Sequence, residues 1–126
     1  MDARINTILL LILLSTFGCK TSNDSYFIAK EQLIGNWINT LETRDTLFIS
    51  DSIIHRTDIP SGEPILYYRY SLNGNEITIE YLGIPSIYVP KTTFQIKLEN
   101  DLLNIVNFSS YYPQYSGDTF KKLENR

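Results

Sequence analysis

The 126-residue chain contains one cysteine, one histidine, one tryptophan and one methionine. A single cysteine excludes an internal disulfide framework. A single histidine, His55, excludes multi-histidine metal centres, and no other residues are spaced as a nucleophile and its base. A non-enzymatic role without a cofactor is therefore expected. Eleven basic residues stand against fourteen acidic ones, a formal charge of -3, so there is no basic footprint and nucleic acid is not expected as a partner. Gly35, Gly62, Gly74, Gly83 and Gly117 are isolated from one another, which excludes a phosphate-cradling loop. No apolar run approaches the roughly 20 residues a membrane-spanning helix needs. What the chain does have is nine tyrosines and six phenylalanines within a 43% hydrophobic composition, enough for one domain with a core.

The N-terminus is set apart from that domain. Arg4 precedes the apolar run Ile8 to Leu14, and Ser15-Thr16-Phe17-Gly18 leads into the lone cysteine, Cys19. A short positive region, an apolar segment and a small residue at the cut make a secretory signal. With the cysteine placed directly after Gly18, the segment resembles a bacterial lipoprotein signal. The resemblance implies removal of residues 1–18, lipidation of Cys19 and attachment to the bacterial envelope, with the outer membrane as the expected location. It also removes the difficulty of a free thiol in an oxidising compartment. Residues 19–30 then read as lipidated cysteine and tether, beginning with the polar stretch Lys20 to Ser25, and residues 31–126 as the domain.

Beyond Gln32 the apolar pattern has period two, and turn residues recur every several positions, which predicts an all-β domain. A single helical turn is expected only over Ser25 to Lys30. Strands are expected over Leu33 to Thr40, Thr46 to Ser50 and Ile53 to Thr57, with Leu47 and Phe48 both open as the partner of His55. Asn73-Gly74 is a strong hairpin signal. A two-residue turn there pairs Leu72 with Asn75, Tyr70 with Ile77, Tyr68 with Ile79 and Leu66 with Tyr81 on one face. It leaves Arg69, Thr78, Glu76 and Glu80 on the other. A second hairpin with Asn100-Asp101 at its tip sets Leu98 against Leu103, Ile96 against Ile105, and Lys97 against Asn104 outside. Between the two hairpins, Ile84 to Pro90 allows only a short, edge-like strand because its prolines lack donors. A last strand is expected near Asp118 to Leu123. No crossover helix is available, so the expected architecture is an antiparallel up-and-down meander of about eight strands, closed into a small barrel that leaves no exposed edge.

Leu33-Ile34-Gly35-Asn36-Trp37 at the first strand, with Phe120-Lys121-Lys122-Leu123-Glu124 at the last, resembles the lipocalin-like, calycin-type barrels and their short lipoprotein members. The resemblance implies that Trp37 caps the barrel floor beneath a cation from the chain end, here Lys121, Lys122 or Arg126. It also implies binding of a small apolar or amphipathic ligand. The inward aromatics Tyr68, Tyr70, Tyr81 and Phe94 are candidates, with Trp37, to line such a site, although residues of this kind more often simply fill the barrel. The segment Phe108 to Gly117 carries Tyr111, Tyr112 and Tyr115 among Ser, Pro and Gly. With Tyr88 it reads either as a rim that meets an envelope protein partner or as a lid folded back on the core. His55 and the acidic pair Glu76 and Glu80 read as outer-face residues.

Overall fold

A computed structural model describes residues 27–84 and 86–124. The signal-like segment, Cys19, the start of the tether, and Arg126 lie outside them. A helical turn α1 (Lys30–Leu33) precedes eight strands: β1 (Gly35–Asn39), β2 (Thr46–Ile49), β3 (Ile53–Asp58), β4 (Glu63–Asn73), β5 (Glu76–Tyr81), β6 (Thr92–Glu99), β7 (Leu102–Ile105) and β8 (Thr119–Lys122). Each pairs antiparallel with the next, and β8 returns to β1, where Trp37 faces Lys122, so the expected meander closes into an eight-stranded barrel. Closure satisfies the backbone groups that an open sheet would leave at its edges.

The helical turn lies further along the chain than the pattern over Ser25 to Lys30 predicts. Gln32 Oε1 accepts a bond from the Ala29 N–H at 2.9 Å, which fixes the entry to the turn at Ala29. The turn delivers Leu33, fully buried, into the base of the barrel, a burial that stabilises by about 1.5–3 kcal/mol. Ile28 is buried as well, so the folded unit takes in residues before 31.

Alternation builds the wall. Along β4 the side chains of Leu66, Tyr68 and Tyr70 are buried while Ile65, Tyr67, Arg69 and Ser71 are exposed. Trp37, Leu47, Ile54, Ile77, Ile79, Phe94, Ile96, Leu103, Ile105 and Phe120 continue the same inward set from the other strands. In β2 and β3 it is Phe48 that opposes His55. The Asn100-Asp101 hairpin has the expected register, with φ of 50° and 61° at its two tip residues, as a type I′ turn requires.

The first hairpin departs from expectation. Asn73 pairs with Glu76, so the tip is Gly74-Asn75, and Tyr68 faces Tyr81, Tyr70 faces Ile79 and Leu72 faces Ile77. Only Gly74 has positive φ, 64°, which suits the glycine-first type II′ turn. Moving a two-residue tip by one position slides the pairing by two, so every side chain keeps its face. The observed register also sets Arg69 directly opposite Glu80, 3.6 Å apart, instead of opposite Thr78. No strand forms among the described residues of 82–91, where an edge-like strand is expected. Those residues form a connection between β5 and β6, consistent with prolines that cannot donate to a ladder.

Candidate functional site

The two ends of the barrel differ. α1 and the turns at 50–52, 74–75 and 100–101 gather at the base, and the longer connections 40–45, 59–62, 82–91 and 106–118 gather at the mouth. At the base, the Trp37 indole N–H donates to the Leu33 carbonyl at 2.8 Å, and Lys122 Nζ lies 5.3 Å from the ring centroid. Of the three cations weighed from sequence, Lys122 therefore covers the tryptophan. A Cβ on Gly35 would press on Lys122 Cε at 3.2 Å, so the missing side chain gives the lysine its path. Tyr70 also sits toward this end, its hydroxyl donating to the Ser50 carbonyl.

The mouth is closed by the tyrosine-rich connection. A 3-10 turn at Phe108–Ser110 drops Phe108 into full burial, and Tyr111 follows it. Phe108 meets Phe94, Tyr68 and Phe120 with ring centroids 5.6, 6.5 and 6.1 Å apart, and Tyr111 meets Phe94 at 5.4 Å. The Tyr111 hydroxyl is 3.2 Å from the carbonyls of both Ile79 and Pro90. The Tyr68 hydroxyl donates to the Tyr112 carbonyl at 2.9 Å, and the Tyr112 ring packs on Tyr81 at 5.0 Å. Tyr115 accepts a bond from the Ile59 N–H at 3.0 Å. Tyr68, Tyr81, Phe94, Tyr111 and Tyr112 thus form one aromatic cluster, while Trp37 and Tyr70 sit toward the other end. Tyr88 stands apart, 90% exposed. Burial is the largest cause of the raised pKa values of Tyr68, Tyr81, Tyr111 and Tyr115, and it pushes Tyr70 up to about 12.

Beneath this lid lies a polar group that sequence reasoning missed. Arg56 is fully buried, and its Nε and Nη2 donate to the two oxygens of an equally buried Asp45 at 2.7 and 2.8 Å. The guanidinium is sandwiched between the rings of Phe108 and Tyr115, each 4.6 Å away. Nη1 has no hydrogen bond of normal geometry, although the charge is near enough to act on the Tyr68 hydroxyl. Burial works against the charged form, but the bonds and charge of Asp45 outweigh it and hold Arg56 above its ordinary value. Asn39, also buried, donates to Asp45 at 3.2 Å and to the Gly117 carbonyl at 3.0 Å, and accepts from the Leu41 and Glu42 N–H groups. A Cβ on Gly117 would come within 2.7 Å of Asn39 Oδ1, so only glycine permits this approach. The signal for Arg56 was available in the alternation, since Ile54 faces inward and residue 56 shares its parity. A bulge between Arg56 and Asp58 turns Thr57 inward as well.

The inward aromatics therefore fill the barrel, and a concavity lies outside the lid. A groove of about 540 Å³ runs between residues 87–92 and 110–114, walled by Tyr88, Val89, Phe94, Tyr111, Tyr112 and Pro113. His55 stays on the outer wall, edge-on to Tyr67 at 4.7 Å. Among the described residues, no three or more His, Cys, Asp or Glu side chains gather as a metal site. No family model matches the chain, and neither a curated protein nor a solved structure is significantly similar to it.

Proposed function

We propose that the protein is a lipid-anchored component of a bacterial envelope whose lipocalin-like barrel binds, without catalysis, a small amphipathic molecule. The groove at the mouth carries this reading. Its volume lies within the roughly 300–1,000 Å³ of small-molecule clefts, and aromatic walls supply apolar area with polar tips. Because the interior is packed, this reading seats the ligand at the margin of the lid and not in the barrel lumen. Support for the anchor is the cysteine that directly follows an apolar run and Gly18, and support for the barrel family is Gly35-Asn36-Trp37. An acylated terminus holds through its buried methylenes, about 0.8 kcal/mol each, without help from the domain surface.

Two measurements test this. Metabolic labelling with an alkyne fatty acid in a bacterial host is expected to mark the wild-type chain and not Cys19→Ser, with the variant released from the membrane fraction. Native mass spectrometry of the membrane-extracted protein is expected to show a co-purifying small molecule that Tyr88→Ala reduces. An unlabelled wild type removes the anchor, and an empty protein removes the ligand.

A protein-interaction role is the second reading, supported by Tyr88 and Ile84, which are 90% and 57% exposed on the 82–91 connection. Tyr111 and Tyr115 belong to the packed lid, so a contact surface would centre on Tyr88 and Tyr112. A cross-linked envelope partner lost with Tyr88→Ser favours this role over small-molecule binding.

A further inference from the structure

Resting on the ligand-binding reading above, we infer that the mouth groove takes a short neutral oligosaccharide and not an acyl chain. Among the described residues, no charged side chain lines the groove, in a protein that has 25 acidic and basic residues. Lys91, between two lining residues, instead lines a separate hollow with Arg69 and Glu80 on the outer wall. An uncharged lining offers nothing to neutralise a carboxylate or phosphate head, so the fitting occupant is neutral.

The shape excludes the other neutral candidate. Acyl chains gain about 0.8 kcal/mol per methylene only where water is removed. Here the lumen is occupied by Phe108, Tyr111 and their neighbours, so a chain would lie along an open surface. A sugar ring needs less enclosure. Its apolar face can lie on an aromatic ring while its hydroxyl rim bonds to neutral groups. The groove has both. Tyr88 and Tyr112 supply aromatic surface over the packed Tyr111, and Ser110, Thr92 and Gln114 supply neutral hydrogen-bonding groups. The Ser110 and Thr92 hydroxyls donate to the Asn107 and Pro90 carbonyls at 2.6 and 2.9 Å, which orients them and leaves their oxygens as acceptors.

The test is calorimetric titration of the full chain in detergent with neutral gluco-, manno-, galacto- and N-acetylglucosamine oligosaccharides, and with monooleoylglycerol, an uncharged acyl chain, as the acyl arm. Saccharide binding is expected, weakened about tenfold or more by Tyr88→Ala and by Gln114→Ala and unchanged by Tyr67→Ala on the outer wall. These residues are exposed, so folding is preserved. Monooleoylglycerol binding without saccharide binding overturns the saccharide assignment and leaves the ligand-binding reading intact. Saccharide binding indifferent to Tyr88 and Gln114 also overturns the assignment to this groove. A chain that binds neither probe, yet carries a co-purifying molecule in native mass spectrometry, overturns only the saccharide; one that carries none removes both.

Discussion

Arg56 and Asp45 meet through two parallel hydrogen bonds of 2.7 and 2.8 Å in a space with no solvent access, each the other's sole ion-pair partner among the described residues. The pair joins β3 to the connection before β2, and the aromatic rings on either face of the guanidinium come from the connection before β8. One cation thus fastens three segments at the mouth. Removing a single partner leaves an uncompensated buried charge, so Asp45→Ala is expected to cost about 3–5 kcal/mol in urea denaturation. Replacing both with Asp45→Leu and Arg56→Met is expected to cost clearly less than the sum of the single changes. A loss below about 1 kcal/mol for Asp45→Ala, the range of surface pairs, would remove the pair from this role.

The lid depends on hydrogen bonds as well as packing. Tyr111→Phe keeps the ring against Phe94 and deletes the hydroxyl that reaches the Ile79 and Pro90 carbonyls. The expected loss is about 1 kcal/mol, with amide exchange in residues 106–118 accelerating more than exchange in β3 and β4. Equal acceleration everywhere contradicts a lid that opens on its own.

Alkaline pH acts on tyrosines at both ends of the barrel. Tyr70 holds its proton to about pH 12 in the folded protein because burial disfavours the phenolate, and Tyr68, Tyr81, Tyr111 and Tyr115 are shifted in the same direction. The unfolded chain releases these protons near the ordinary value of 10. Stability is therefore fully present below pH 10 and is lost as the pH rises toward 12. Tyrosinate absorbance from these residues is expected to develop together with unfolding, as a late cooperative step. These five tyrosines titrating smoothly near pH 10 in a still-folded protein contradict the packing described here.

The hairpin tips at 74–75 and 100–101 respond oppositely to glycine. Gly74→Ala forces a side chain onto a φ of 64° and is expected to cost about 1 kcal/mol, with no steric clash since the nearest atom is 3.8 Å away. Asp101→Gly relieves a non-glycine φ of 61° and creates the preferred Asn-Gly tip, for an expected gain of about 0.5 kcal/mol. Thermal melts of the two variants moving in the same direction would contradict these turn conformations.

Legibility in the sequence followed the range of the interaction. The Asn100-Asp101 hairpin was readable to its register because two tip residues and two apolar pairs leave one consistent pairing. At Asn73-Gly74-Asn75 the faces were readable, but the register was not. The two placements of the tip differ by two residues and bury the same side chains, so hydrophobic patterning cannot separate them. The site was less legible. Tyr88, Tyr111 and Tyr112 stood out as aromatic residues in connections, but the groove between them exists only because residues 87–92 and 110–114 come together across the mouth.

Sequence alone determined an antiparallel meander with a defined inward set, because alternation and turn chemistry act between near neighbours and survive small errors of pairing. Tertiary structure alone decided that Arg56 meets Asp45 and not water, that Phe108 and Tyr111 occupy the mouth, and that Lys122 covers Trp37. Those contacts depend on closure of β8 onto β1. Closure brings together side chains from distant parts of the chain, and their fit is a property of the assembled barrel and not of any one strand.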